Sequence, residues 1–227
     1  ALVLNSLANG EICLSRDEKE LGVFLIDLGG GITEVSLFQQ GALKDIAVLS
    51  VGGDHITNDL AVGLRTTFEL AEKLKIEHGS VLENLTSNSE DIEVEGISGR
   101  EKRKISSQEL FNYIEPRVLE MLQLCSEEMA RMGFTKMPPA GIVLTGGVSL
   151  LKGVTDLAEE VFACPVRLAQ PEYLGVRSPI YSTAVGIISY VARNHVTRQL
   201  TRRTENKTGL FNHIWQRIKA FVLDIWQ

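Results

Sequence analysis

The sequence predicts an α/β fold interrupted by a smaller α+β insert and closed by an amphipathic C-terminal helix. Three observations carry that expectation. Two buried apolar runs, GVFLIDL and AGIVLT, each end in glycines. A polar stretch with a long helical pattern separates them, and nine large apolar residues recur at steps of three and four in the last eighteen positions.

In order along the chain, LGVFLIDL (21–28) reads as a buried strand, and Gly29-Gly30-Gly31 ends it. ITEVSLF (32–38) alternates apolar with polar residues, and a Gln39-Gln40-Gly41 turn leads into ALKDIAVLSV (42–51). Three strands joined this tightly form a meander. Gly52-Gly53-Asp54 stops the third strand and offers a cap to a helix through HITNDLAVGL. Residues 67–78 form a second helix, with Leu70, Ala71 and Leu74 on one face and Glu72, Lys73 and Lys75 expected among its polar residues.

The stretch 80–105 is rich in Ser, Asn, Glu, Gly and Lys, and DIEVEGI and REKRKI read as a short hairpin. Ser106 or Ser107 caps a long helix at 108–132, with Glu109 placed to help close the cap. Pro116 should bend that helix or mark a join in it. This block, 66–133, reads as an inserted subdomain. The main core then resumes with strand 140–147, helix 154–162, strand 165–171 and a helix 179–194 that carries Pro179 in its first turn.

Composition narrows the function. The 227 residues carry 23 basic and 29 acidic side chains, a net charge of −6. From Arg193 onward there are 7 basic and 2 acidic residues, net +5, which leaves residues 1–192 at net −11. So acidic a body is a poor partner for nucleic acid. Cys13, Cys125 and Cys164 are far apart without metal-ligand spacing, which points to reduced thiols and a cytosolic setting. No run of 18 apolar residues exists to span a bilayer.

Three weak ligand signals stand out. In Asp27-Leu28-Gly29-Gly30-Gly31-Ile32-Thr33 the glycines let backbone amides approach a phosphate and Thr33 adds a hydroxyl. Asp27 would repel phosphate, so its useful partner is Mg²⁺ or a water bound to Mg²⁺. A dinucleotide fingerprint fails because Glu34 takes the last glycine position and a strand follows, and a Walker loop fails for want of a Lys-Thr/Ser pair. A plain hairpin turn remains open. Gly146-Gly147 ends a second strand where α/β proteins bind ligands, or is simply a connecting turn. Glu72 and Lys75 share a helix face and suit ribose hydroxyls and a base or phosphate, or form an ordinary surface ion pair.

Taken together, GVFLIDLGGGITEVSLF, VGGDHITNDLAVGL, AEKLKIEHG, ISSQELFNYIEPRVLEML, IVLTGGVSLLKGVTDLAEEVF and PIYSTAVGII resemble the FtsA family of bacterial cell-division proteins, which are actin-like ATPases. The resemblance implies an actin-like (ribonuclease H-like) domain 2A at 1–65 and 134–192, with domain 2B inserted at 66–133. It likens Asp27, Gly29, Gly30, Gly31 and Thr33 to the family's second phosphate loop, Glu72 and Lys75 to the domain 2B side of the nucleotide site, and Gly146, Gly147 and Ser149 to its adenosine loop. It implies ATP and Mg²⁺ as cofactors, self-association into actin-like filaments, weak hydrolysis at most, and a place on the cytoplasmic face of the membrane at the septum. It also implies that domain 2B receives the acidic and apolar tail of the tubulin-like protein FtsZ, with Arg117 and Glu120 as candidates. A metabolic or chaperone-type ATPase of the same superfamily is the alternative. The family's first phosphate loop, domain 1A and domain 1C have no counterpart here, and the opening at Ala1 in mid-pattern reads as a segment of a longer protein.

Leu210, Phe211, Ile214, Trp215, Ile218, Phe221, Val222, Ile225 and Trp226 form one broad stripe on a helix of about 27 Å at 1.5 Å per residue. Both tryptophans of the chain lie on it, and a basic linker at 193–209 precedes it. The pattern suits an interfacial helix drawn to an anionic membrane surface. The other reading is a terminal helix docked on the body.

Overall fold

A computed structural model describes residues 2–83, 92–96, 102–134, 138–171 and 176–193. The segments 193–209 and 210–227, apart from Arg193, therefore lie outside the described residues, and so does the expected membrane helix with its nine apolar positions.

Strand β1 (Val23–Leu28) is the centre of a five-stranded sheet because five of its six residues are buried, so both faces need cover. It pairs antiparallel with β2 (Thr33–Gln39), which pairs antiparallel with β3 (Ala42–Leu49), completing the expected meander. On its other side β1 pairs in parallel with β6 (Ile142–Thr145), and β6 with the short β7 (Val166–Leu168). The sheet order is β3-β2-β1-β6-β7. Among the described residues, 66–133 contributes no strand to it. Its own strands β4 (Ile92–Glu95) and β5 (Lys102–Ile105) form a separate two-stranded antiparallel sheet.

One face of the large sheet presents Phe24, Ile26 and Leu28 to helices α3 (Gly53–Leu64), α4 (Phe68–His78), α5 (Ser107–Arg131) and α6 (Val154–Phe162). Phe24 meets Phe134 edge-on with ring centroids 5.2 Å apart. Full burial of each such side chain stabilises by about 1.5–3 kcal/mol, and Phe24→Ala would cost about 3–5 kcal/mol once its cavity is included. The same apolar cluster runs on through Ile92, Val94 and Ile105 of the small sheet, so insert and main sheet share one core.

The opposite face presents Val23, Leu25, Phe38 and Val143 to helix α1 (Asn5–Cys13). The sequence reading assigned nothing before residue 21, yet α1 and α2 (Arg16–Leu21) both form. Ser15 and Glu18 close a reciprocal capping box at the start of α2. Helix α7 (182–193), entered through a 3₁₀ turn at Pro179–Tyr181, lies against α1. The crossing is close: a Cβ on Gly186 would sit 2.2 Å from the Ala8 carbonyl oxygen.

Within the expected Gly52-Gly53-Asp54 stop, Gly52 is the cap residue of α3, which begins at Gly53, and it brings no side chain to the first turn. The first amides of α3 are satisfied instead by the glycine turn, with Gly53 N–H donating to Gly29 O at 2.9 Å and Asp54 N–H to Gly30 O at 2.8 Å. Two expectations need correction. Lys75 is buried at 6% exposure, so its pair with Glu72 is not an ordinary surface ion pair. The strand at 165–171 shrinks to three residues. Helix α5 is capped by Ser106, whose hydroxyl accepts from Glu109 N–H, and continues through Pro116. The Glu109 carboxylate turns to Arg103 at 3.3 Å.

Candidate functional site

The two glycine turns meet because the strands before them, β1 and β6, are parallel neighbours ending at the same edge. Gly146 makes the close approach. Its φ is +88°, and a Cβ there would lie 2.4 Å from Asp27 Oδ1 and 2.5 Å from Leu28 O. Gly147 is the reverse case, with open space around its Cβ direction. Gly29 N–H donates to Ile32 O at 3.1 Å and closes the first turn, while Gly30 and Gly31 are exposed.

Helix α4 brings the third signal. Lys75 Nζ lies 2.6 Å from Glu72 Oε2, and donates to Gly53 O at 3.0 Å and Thr57 Oγ1 at 2.8 Å. The Thr57 hydroxyl also bonds Glu72. A cavity of about 250 Å³ is lined by Gly30, Asp54, Glu72, Lys75, Gly147 and Ile180, among others. The structure thus brings together Gly30, Gly147, Glu72 and Lys75. Exposed Ile76, Leu150 and Ile180 add apolar walls that the sequence reading did not single out.

Other predicted residues serve the scaffold. Thr33 is fully buried and donates its hydroxyl proton to Val51 O at 2.8 Å. Ser149 donates to Gly146 O at 2.6 Å. Neither directs that proton at the cavity, a correction to the reading that gave Thr33 a donor's part toward phosphate.

Asp27 accepts from Asn9 Nδ2 at 2.8 Å and from Thr183 Oγ1 at 3.5 Å, both at Oδ2. Burial pushes its carboxyl above the usual range, and those two hydrogen bonds pull it partly back. Glu34, opposite Asp27 in the β1–β2 register, is also raised, first by burial and further by the Asp27 charge, against a hydrogen bond from Ser6. Among the described residues no three His, Cys, Asp or Glu side chains group around a metal position. Lone Asp27 suits a cation that keeps most of its waters, as Mg²⁺ does. Asn9 Oδ1, buried without a hydrogen-bond partner, leaves an acceptor for such a water.

Arg117 lies on α5, with Nε 2.7 Å from Asp59 Oδ2 on α3, and its guanidinium also pairs with Glu120. The Asp59 hydrogen bond holds it more firmly charged. A groove of about 440 Å³ between α3 and α5 is lined by Asp59, Val62, Tyr113, Pro116, Arg117 and Glu120, among others. Glu120 is exposed, whereas Arg117 is half-buried and bridges the two helices.

Comparison with solved structures supports the fold. MreB5 of Spiroplasma citri bound to ADP superposes with a TM-score of 0.69 at 19% identity, covering 87% of this chain and 61% of that one. A MamK double helical filament gives 0.65 at 14% identity, covering 83% and 58%. Curated relatives are closer in sequence. Cell division protein FtsA of Bacillus subtilis is 45% identical over 193 residues, covering 85% of this chain and 44% of the relative. That of Pseudomonas aeruginosa is 43% identical over 194 residues, with 83% and 46% covered. FtsA of Escherichia coli K12 is 34% identical over 207 residues, with 86% and 49% covered. The chain spans about half the length of the curated relatives it matches. The family model for cell division protein FtsA matches residues 24–186, well over half of the chain. With an actin-like α/β fold and this sequence match, the chain belongs to the cell division protein FtsA family.

Proposed function

We propose that this chain supplies one wall of an ATP site in an actin-like cell-division adaptor that tethers FtsZ filaments to the cytoplasmic membrane. The observation that carries the reading is the burial of the Lys75 ammonium, with Glu72 beside it, in a cavity that both glycine turns enter. Gly30 and Gly147 offer uncovered backbone, Ile76 and Ile180 offer apolar walls to a base, and Glu72 can accept from ribose hydroxyls. Asp27 would hold Mg²⁺ through water, and the cation would offset phosphate charge. Hydrolysis, where it occurs, is weak.

The remaining parts follow the family reading. Residues 1–65 and 134–192 act as domain 2A and 66–133 as domain 2B. The groove beside Arg117 and Glu120 takes the FtsZ tail. Residues 210–227 lie on an anionic membrane surface at the septum, reached through the basic linker at 193–209, and subunits join as actin-like filaments. Family membership leaves the metabolic or chaperone-type alternative without support.

A 250 Å³ cavity is smaller than a site enclosing a whole ligand of drug size, about 300–1,000 Å³. The chain should therefore bind ATP with Mg²⁺ weakly, with a Kd of order millimolar, or about −4 kcal/mol. Calorimetry at millimolar ligand tests this against Gly147→Phe, whose side chain enters open space and so spares the fold. Loss of binding at unchanged melting temperature is expected. Equal affinity in the variant, or no heat with the wild type, would overturn the assignment.

A further inference from the structure

Helix α1 places two polar side chains on the sheet, and both meet carboxylates. Ser6 Oγ donates to Glu34 Oε1 at 2.5 Å and accepts from Ser36 Oγ at 2.8 Å. Asn9 Nδ2 donates to Asp27 Oδ2 at 2.8 Å. Asp27 and Glu34 are direct cross-strand partners, so their side chains stand on the same face of the sheet. Neither has a Lys or Arg partner among the described residues. Two half-buried negative charges side by side without a cation are electrostatically incomplete.

Asn9 completes the pattern. It is fully buried, and its Oδ1 has no hydrogen-bond partner. Burying an amide oxygen unpaired is unfavourable, and the Nδ2 bond to Asp27 does not account for it. Asn9 and Thr183 both donate to Asp27 Oδ2, which leaves Oδ1, the oxygen nearest Gly146, open to another partner.

We propose that Asn9 is a positioning residue for a hydrated divalent cation at Asp27, fixing one carboxylate oxygen through its N–H and accepting a hydrogen from the cation's water shell at its Oδ1. Glu34 adds the second negative charge. The chemistry suits Mg²⁺, a hard cation that retains waters and relies on oxygen acceptors around them. This proposal rests on the nucleotide reading for its purpose, yet it concerns the chain's own residues.

The test is a Mn²⁺ titration followed by electron paramagnetic resonance, with and without ADP, on the wild type, Asn9→Leu and Glu34→Gln. Asn9→Leu should weaken Mn²⁺ binding by about 10- to 100-fold, the usual effect of losing an outer-shell partner. Glu34→Gln keeps an acceptor for Ser6 and should weaken Mn²⁺ binding by a smaller factor. Nucleotide affinity measured in EDTA should be the same in all three. Should Asn9→Leu fail to fold, the wild type still decides: substoichiometric Mn²⁺ should broaden the Asn9 side-chain amide resonances in NMR. Wild-type Mn²⁺ affinity in a folded Asn9→Leu, or unbroadened Asn9 signals, would overturn the proposal. Failure of the nucleotide reading would show separately, as ATP binding that Gly147→Phe leaves intact.

Discussion

Lys75 Nζ lies 2.6 Å from Glu72 Oε2, one helical turn away on α4, with only 8% of the lysine side chain accessible. An (i, i+3) pair on a helix is ordinarily solvated and contributes a few tenths of a kcal/mol. Here the ammonium also holds Gly53 O and Thr57 Oγ1, and so fastens α4 to the first turn of α3. Lys75→Met would take the ammonium from the Gly53 carbonyl and the Glu72 carboxylate and leave both to share the single Thr57 hydroxyl. A loss of about 1–3 kcal/mol is expected in urea unfolding, along with lost ATP binding. Wild-type stability in the variant would mean that the ammonium contributes nothing to the α3–α4 junction.

The pairing of Arg117 with Asp59 decides which substitution can probe the groove. Arg117→Glu would set three carboxylates together at residues 59, 117 and 120, so weakened peptide binding could reflect a loosened helix pair. The exchange Asp59→Arg with Arg117→Asp keeps an α3–α5 ion pair. Its stability should fall within about 1 kcal/mol of the wild type, since both partners are partly exposed. Affinity for an FtsZ tail peptide, by fluorescence anisotropy, should drop at least tenfold. Unchanged affinity would remove Arg117 from the proposed peptide surface.

Thiol chemistry reports on the core. Burial, and then the Glu128 charge, push the Cys125 thiol up to about 12. At pH 8 about one molecule in ten thousand would carry that thiolate. Cys164 is raised by burial and by Glu159 but is not fully buried. Native alkylation with iodoacetamide, followed by mass spectrometry, should label Cys164 first and Cys125 only under denaturing conditions. Equal native rates would contradict the packing of α5 against the sheet.

Arg167 on β7 clamps Glu18 at 2.7 Å and 2.8 Å and donates to Cys13 O at 2.8 Å. Burial pushes the Glu18 carboxyl upward, but the Arg167 and Ser15 hydrogen bonds more than offset it, and the net shift is downward. A depressed carboxyl stabilises the fold above its unfolded-state value and loses that contribution as pH falls through its folded-state value. Asp27 and Glu34 are raised and act in the opposite direction, so the informative quantity is the difference between wild type and Glu18→Gln. That difference should be under about 1 kcal/mol at pH 7 and shrink as the pH falls below the ordinary glutamate range. A difference independent of pH would show that Glu18 acts by packing alone.

What could be read in advance follows from physical contrast. Strands β1 and β6 were legible because both faces are buried and their residues are mostly apolar, and β2 because apolar Val35 and Leu37 alternate with polar Glu34 and Ser36. Helix α5 was legible through Ser106 and a long apolar stripe. Helix α1 was not, since it buries Ser6, Ala8, Asn9, Gly10 and Cys13, small or polar residues that leave no stripe. That loss hid Asn9. The capping box Ser15–Glu18 was readable signal left unused. Lys75 could not be placed from its own helix, because its partners Gly53 and Thr57 are 22 and 18 residues away. Thr33 and Ser149 looked like ligand donors because sequence shows a hydroxyl but not the carbonyl that takes its proton.

The central claim is that nucleotide binds between the two glycine turns and α4. Backbone amide shift mapping by NMR, with ATP and Mg²⁺ titrated into the chain, addresses it residue by residue. The largest changes should fall at Gly30, Gly53, Lys75 and Gly147, with no comparable change at the larger cavity of about 710 Å³ lined by Glu11, Glu18 and Arg167. Perturbations centred on Glu18 and Arg167, with Gly30 and Gly147 unmoved, would contradict the account.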